Sequence, residues 1–297
     1  MTRIPMKAAA GLLLCAAAAF AVARADWIDE GNPVCLAEGH QAQVAMAPAG
    51  SGSAIVLWSD LRSIVHEQVY LQRLDAAGRT MWRSNGALSS PESDIDAHGA
   101  IVPDGGGGAI IAWDDFRNGN ADVYAQSIGP NGQLRWAAAG VAACALAADQ
   151  MEAALAPDGA GGVYVAWIDY RAGGTSDIYA QHIDSYGISR WAAGGVPVCA
   201  AAQNQRYVAL VADGAGGAIA VWEDTRTAGT TIVYAQRLDP SGNRLWGTDG
   251  VAARPGGACR NSSSSRSAEP TSVVRLVSRK RSCARAVRPL RSSTVAG

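Results

Sequence analysis

The chain has 297 residues, of which only 17% are charged and 34 are glycine, and its formal net charge is −1. This composition favours many short strands joined by tight turns over helices with charged faces. The small net charge hides a split: residues 26–253 contain 12 Arg, no Lys and 25 acidic residues, whereas residues 254–297 contain ten basic residues and one acidic residue. The acidic body argues against nucleic acid as a partner, because phosphate binding requires clustered Lys and Arg.

The N-terminus has the organisation of a targeting segment. A short basic region, an apolar run over 8–22 and a small-x-small site at 23–25 predict a signal peptide over 1–25, so the mature chain would begin at Asp26. A lipid-modified Cys15 is the weaker alternative, because a leucine precedes it where a small residue is preferred. No apolar run is long enough to span a bilayer. The sequence therefore predicts an exported protein, secreted or periplasmic, with no membrane span.

Four copies of one unit fill residues 26–253. Tryptophans spaced by 55, 54 and 55 residues each begin a W-x-D-x-R string, which a V/I-Y-x-Q string and then G-x-x-x-W follow. The first tryptophans of the units are Trp58, Trp113, Trp167 and Trp222, and the second are Trp82, Trp136, Trp191 and Trp246. Trp27 is one more copy of the second landmark, so all nine tryptophans are repeat positions. Counted between these landmarks, the units run over about 27–82, 82–136, 136–191 and 191–246.

Each unit is predicted to form four strands. A short first strand leads through a Gly-rich turn to a second strand that is apolar at both parities, which indicates burial on both faces. The V/I-Y-x-Q string is the third strand, and a short fourth strand is expected to end at the G-x-x-x-W tryptophan. One twisted sheet per unit, covered by its neighbours, is a propeller blade. The predicted fold is an all-β β-propeller with four four-stranded blades of about 55 residues, in a ring that four units either close or leave incomplete.

The residues that recur in every unit are interpreted as structural. The tryptophans would fill the gaps between blades, with each indole N–H bonded to backbone, and the Asp and Arg of W-x-D-x-R would bind the adjacent loop. A residue present in every blade maintains the blade, whereas a functional site uses residues that break the symmetry.

The repeat stops before residues 254–297, which contain ten Ser, nine Arg and no aromatic residue. The next W-x-D-x-R is due near Val277, where the sequence reads VSRKR. Two interpretations stand: a disordered basic tail, or a lost reading frame in a native protein that continues into more blades. In the second case the four blades form an open arc with exposed end faces. Coding DNA beyond codon 253 that encodes W-x-D-x-R in another frame would support the second interpretation.

The cysteines predict neither a disulfide nor a zinc site. Cys35, Cys144 and Cys199 each lie eight residues after a tryptophan, and Ser90 takes this position in the second unit. Equivalent positions on different blades are too far apart for a disulfide, so unpaired, buried thiols are expected. No C-x-x-C pair suggests zinc.

Metal and catalytic signals are also weak. If Asp94, Asp96 and His98 lie on one strand, they share a face and could bind calcium, but a solvated strand entry is the favoured interpretation. The Asp-Gly turns at Asp104, Asp158 and Asp213 resemble fragments of calcium loops, and Asp is also a common turn residue. No nucleophile elbow or phosphate loop is visible. The sequence predicts no metal, no cofactor and no identifiable catalytic residue.

The unit resembles a repeat of exported bacterial proteins in which GGAIVAW-D-x-R precedes DIYAQR and G-x-x-x-W, a resemblance that implies export but no activity. The string AWDDFRNGNADVYAQ is similar to the repeats of TolB-like propellers. LDAAGRTMW is similar to the D-x-x-T-G-x-x-x-W signature of quinoprotein dehydrogenases, although it is one residue shorter and lacks the Thr, and it resembles a sialidase Asp-box loosely. Fold analogy alone assigns no function to so widely used an architecture.

The predicted function is a non-enzymatic exported propeller that acts as a binding or structural module for an envelope or extracellular protein or a glycan. The alternative is a secreted carbohydrate-active hydrolase or lyase of propeller fold, whose two carboxylates can be far apart in sequence. Acids, Tyr or Arg that break the symmetry at one end of the central channel would distinguish the two.

Overall fold

The computed structural model describes residues 31–63, 67–91, 95–227 and 229–253, and for 95–98 it describes the backbone only. The predicted signal peptide, Trp27 and the tail over 254–297 lie outside these residues.

The described chain is all-β, with 16 strands in four four-stranded antiparallel sheets. The first sheet contains β1 (Gln41–Pro48), β2 (Ala54–Asp60), β3 (Gln68–Leu74) and β4 (Ala87–Leu88). The second contains β5 (Ile95–Pro103), β6 (Ala109–Asp115), β7 (Asp122–Ile128) and β8 (Val141–Cys144). The third contains β9 (Gln150–Pro157), β10 (Val163–Asp169), β11 (Asp177–Ile183) and β12 (Val196–Cys199). The fourth contains β13 (Gln205–Ala212), β14 (Ala218–Asp224), β15 (Ile232–Leu238) and β16 (Val251–Ala252).

Each sheet is a meander whose strands pair in chain order. The first strands of consecutive sheets lie side by side, β1 with β5, β5 with β9 and β9 with β13, so they form the inner edge of the assembly. This arrangement confirms the predicted all-β propeller with four four-stranded blades. Within the described ranges, no comparable packing joins the first blade to the fourth. The four blades therefore form an open arc.

The second strand of each blade is the core of its sheet. Every residue of β6 and β10 is buried, as the apolar run at both parities predicts. Trp113 and Trp167 are wholly buried and face the preceding blade, where they join its apolar side chains. Burial of such side chains is the main stabilising contribution here, because the described residues contain neither a helix nor a disulfide.

The fourth strand lies later in the chain than the sequence predicted. The segment between the turn and the second tryptophan pairs with the third strand through a single bridge, as at Ile128 and Leu134, and β8 follows Trp136. The physical reason is the buried Gln126 of the third strand, whose side chain accepts the backbone N–H of Trp136 and so replaces strand pairing there. The chain then turns at Gly140, where φ is +81° and a Cβ would lie 2.8 Å from the Trp113 ring.

The two ends of the arc are less buried than its middle. Leu155 on β9 packs into the apolar cluster between blades 2 and 3, whereas Met46, at the same position of β1, is 64% exposed. In the fourth blade Val211 and Val251 are exposed on the side away from blade 3. The end faces therefore expose apolar surface that the middle blades bury against each other.

Candidate functional site

The W-x-D-x-R residues form the same buried network in all four blades. The indole Nε1–H donates to the carboxylate of the aspartate two residues on, at 2.7 to 2.9 Å, and the arginine Nε–H donates to the other oxygen. The guanidinium also lies 3.6 to 4.2 Å from the ring centre of the third-strand tyrosine and donates to a loop carbonyl before the fourth strand. The indole partner is thus a side chain rather than the expected backbone. These groups bind each other and their own loop, and this network has a structural role.

Two carboxylates of this network, those of Asp60 and Asp224, are held in the ionised form. Burial opposes ionisation of Asp60 and Asp224, but hydrogen bonds from the adjacent arginine and tryptophan outweigh it, so the pKa of both carboxyls lies below its ordinary value. A buried carboxylate with three donors stabilises the fold only while all of its partners remain in place.

The turn aspartates also serve the fold. Asp104, Asp158 and Asp213 each accept two backbone N–H groups of their own turn with one oxygen. The second oxygen binds a basic side chain, namely Arg135, His182 and Arg237 respectively. Both oxygens are therefore engaged within the protein. Within the part of the chain that the structure describes, no group of three or more His, Cys, Asp or Glu side chains is placed to hold a metal ion.

Of the candidate calcium ligands, Asp94 lies outside the described residues, and only the backbone of Asp96 and His98 is described. Cys35, Cys144 and Cys199 are free thiols, as expected. Burial raises the pKa of Cys144 to about 11 and that of Cys199 to about 12. Such thiols are protonated at neutral pH and make poor nucleophiles.

Two middle blades carry an additional buried acid. Asp122 and Asp177 lie directly opposite the W-x-D-x-R aspartates of blades 2 and 3. Burial raises the pKa of both carboxyls, and the facing aspartate raises it further. The same position is Gln68 in blade 1 and Ile232 in blade 4. The two buried pairs of acids therefore distinguish the middle of the arc from its ends.

A β-bulge interrupts the first strand of each blade close to its beginning. Gln43, Glu152 and Tyr207 lie there with φ of +52°, +56° and +55°, a left-handed conformation that residues other than glycine adopt at a cost of about 1–3 kcal/mol. Counted back from the following turn, His98 has the same position in blade 2. We name Gln43, His98, Glu152 and Tyr207 the inner-bulge residues. They lie on the inner strands, at the end of the arc that bears the W-x-D-x-R loops.

The bulge of blade 3 is supported by an acid from blade 2. Asp114, which is buried on β6, accepts the backbone N–H of Glu152 at 3.1 Å with its Oδ2. The position of Asp114 also varies among the blades, where it is Ser59, Ile168 and Glu223. The Asp114 carboxylate of blade 2 thus binds the backbone of Glu152 in blade 3, a contact of which their positions in the sequence gave no sign.

The inner-bulge position is therefore the candidate functional site. Its members provide an amide, an imidazole, a carboxylate and a phenol at one repeat position. The W-x-D-x-R network, by contrast, has the same Trp, Asp and Arg in every blade. Tyr207 is 64% exposed, Gln43 is exposed and Glu152 is half-buried, so these groups are accessible to a ligand. Sequence reasoning singled out only His98. Aligning the four units on their turns reveals the other three, because four different polar residues then occupy one position.

Comparison with solved structures finds propeller proteins at low sequence identity. A protein of Agrobacterium tumefaciens assigned as TolB is 14% identical, with a TM-score of 0.39 over 68% of this chain and 63% of that one, so the chain spans less than two thirds of it. An endo-arabinase from Bacteroides thetaiotaomicron is 10% identical, with a TM-score of 0.41 over 71% and 83% of the two chains. An α-L-arabinanase from Penicillium chrysogenum is 10% identical, with a TM-score of 0.43 over 77% and 70%. Because each score is below 0.5, the fold assignment depends on the chain's own four sheets.

No protein-family model matches the chain, and no curated protein matches it. Among the described residues, no helix has the length and apolar character required to cross a membrane.

Proposed function

We propose that this chain is an exported propeller module that binds a glycan through the inner-bulge residues and catalyses no reaction. One observation carries the proposal: the bulge position of the first strand bears a different polar side chain in each blade, and its backbone is left-handed at Gln43, Glu152 and Tyr207. The tryptophan, aspartate and arginine that hold the blades together do not vary in this way. Side chains that break the symmetry of a repeat serve a ligand rather than the fold.

The chemistry of these side chains suits a sugar. The amide of Gln43 and the carboxylate of Glu152 offer donors and acceptors for hydroxyl groups, and an exposed ring such as Tyr207 can cover the apolar face of a pyranose. Export, as the N-terminal residues 1–25 and the resemblance to exported bacterial repeats suggest, would bring the module to envelope or extracellular glycans. The same residues could contact a protein surface, which the test below distinguishes.

The test is a glycan array probed with residues 26–297, followed by calorimetry on the best ligand. Tyr207→Ala should weaken binding about tenfold, because loss of a stacking ring removes about 1.4 kcal/mol. Tyr186→Ala is the matched control: Tyr186 is 80% exposed but lies in a turn at the opposite end of blade 3. An array without any binding, or equal effects of the two variants, would contradict the proposal.

A carbohydrate-active enzyme is the second candidate, because glycoside hydrolysis uses two carboxyl groups and the Asp114 carboxylate lies 3.1 Å from the backbone nitrogen of the acidic residue Glu152. A panel of chromogenic glycosides tests this reading. Hydrolysis that persists through purification and is lost in Glu152→Gln would replace the non-enzymatic proposal.

A further inference from the structure

The three joints between blades share one hydrogen bond. In each, the second tryptophan of a blade donates its indole N–H to a turn carbonyl of the next blade. These bonds join Trp82 to Pro130, Trp136 to Ser185 and Trp191 to Pro240, at 2.9, 3.1 and 3.0 Å. The bond is therefore a regular feature of a joint between blades of this repeat.

At two of the three joints, a second set of contacts joins the end of the fourth strand to the next blade. At the joint between blades 3 and 4, Arg226 Nη2 lies 3.0 Å from the Cys199 sulfur, and the backbone N–H of Ala200 donates to Asp249 Oδ1 at 3.1 Å. Between blades 2 and 3, Arg171 approaches Cys144 in the same way, at 3.5 Å.

Residues 31–36 make these contacts with blade 1. Arg62 Nη2 lies 3.4 Å from the Cys35 sulfur, and the backbone N–H of Leu36 donates to Asn85 Oδ1 at 2.8 Å. Asn85 is the repeat equivalent of the acceptor in blade 4. Gly31–Cys35 thus takes the place of the fourth strand of a blade that precedes blade 1. Within the described ranges, no third strand pairs with this segment.

The opposite end of the arc shows the complementary half of a joint. Trp246 is half-buried, and among the described residues its indole N–H has no turn carbonyl corresponding to those of the three joints. Val211, Leu245 and Val251 are exposed beside it. This face continues the series of joints along the arc, so its shape and apolar character suit another blade of the same kind.

We propose that the exposed face of blade 4 is an interaction surface for a further unit of this repeat, and that this unit takes Gly31–Cys35 as its fourth strand. The unit contributes three strands and presents a turn carbonyl to Trp246. A second copy of the whole chain suits the position less well. Its blade 4 would bring its own fourth strand to the place that Gly31–Cys35 occupies, and its residue 254 is Arg where Cys35 meets Arg62.

The experiment begins with the full mature chain, residues 26–297, in light scattering, which should show a monomer. A chimera then replaces residues 254–297 by a copy of Cys144–Trp191, which supplies three strands without the fourth. Hydrogen exchange of β13 to β16 should become about tenfold slower than in the full chain, with exchange of β5 to β12 unchanged. Trp246→Phe in the chimera should reverse part of this protection.

A second chimera with a copy of Cys144–Cys199, which includes its own fourth strand, is the matched control. It should compete with Gly31–Cys35 and increase exchange at residues 31–40, whereas the three-stranded chimera should slow exchange there. Unchanged exchange in blade 4, protection that does not involve residues 31–40, or a dimeric full chain with blade 4 protected would each overturn the proposal. Insolubility of both chimeras would also count against it, because a unit that fits this face should be stabilised by the contact.

Discussion

The joint between blades 2 and 3 and the outer face of blade 4 are built from the same repeat positions, yet they differ in burial. At the joint, Trp136 is buried and bonded to Ser185, and Val102, the repeat equivalent of Val211, packs against the apolar cluster. On the outer face, Trp246 is half-buried and Val211 is 37% exposed. The residue types are alike, so the neighbouring blade and not the residue decides how much each position stabilises the fold.

Removing a carboxylate from the buried network should have the largest effect. Asp169→Ala leaves the Arg171 guanidinium and the Trp167 indole without their acceptor, and we expect unfolding to become easier by about 3–5 kcal/mol. Urea denaturation followed by tryptophan fluorescence measures this. Asp239→Ala is the control, since that carboxylate lies in an exposed turn, and its effect should be much smaller. Similar losses in the two variants would mean that the buried network contributes no more than a surface turn.

A charge placed at matched positions tests the comparison directly. Leu155→Lys puts an ammonium group into the cluster between blades 2 and 3 and should cost about 2–4 kcal/mol. Met46→Lys, at the same position of blade 1, should leave stability nearly unchanged, because that side chain is already exposed. Thermal unfolding measures the loss of stability in each variant, and we expect a lower melting temperature only for Leu155→Lys. A large loss in Met46→Lys would show that another part of the protein covers blade 1.

Removal of the hydrogen bond between Trp136 and the next blade should have a smaller effect on stability. Trp136→Phe keeps an aromatic ring but leaves the Ser185 carbonyl without its donor, at a cost of about 1–2 kcal/mol. Trp246→Phe should cost much less in the chain as it stands, since no such joint forms there. Equal costs, measured in urea, would show that the ring itself and not the bond stabilises this position.

The smallest expected effect depends on pH. Burial raises the pKa of Asp122, so the folded state favours the protonated carboxyl, and the stability from this group is fully present below the unfolded-state pKa of about 3.9. It is lost as the pH rises through the higher folded pKa. Asp122→Asn should therefore gain stability relative to the wild type between about pH 4 and pH 7. A difference in melting temperature that stays constant or shrinks over this range would contradict the assignment.

The sequence predicted the blades because their decisive contacts are local. Trp167 and Asp169 are two residues apart, and the Gly-rich turns join neighbouring strands, so residue types and spacing were sufficient. The sequence placed the fourth strand too early in the chain. The buried Gln126 side chain accepts the backbone N–H of Trp136, which would otherwise pair with a neighbouring strand, and no sequence periodicity reveals such a bond. Of the candidate site, the sequence drew attention only to His98, and there only as a weak candidate ligand for calcium. Asp114 and Glu152 meet across two blades, a relation that no local pattern contains.

The sequence by itself therefore determined the unit, its repetition and the network that each blade builds, since these depend on contacts within about one repeat. Only the tertiary structure decided which equivalent positions are buried, where the inner strands bulge and that the arc stays open between blade 1 and blade 4. The physical reason is that burial and strain arise between blades, where the same residue finds a neighbour in the middle of the arc and solvent at its end.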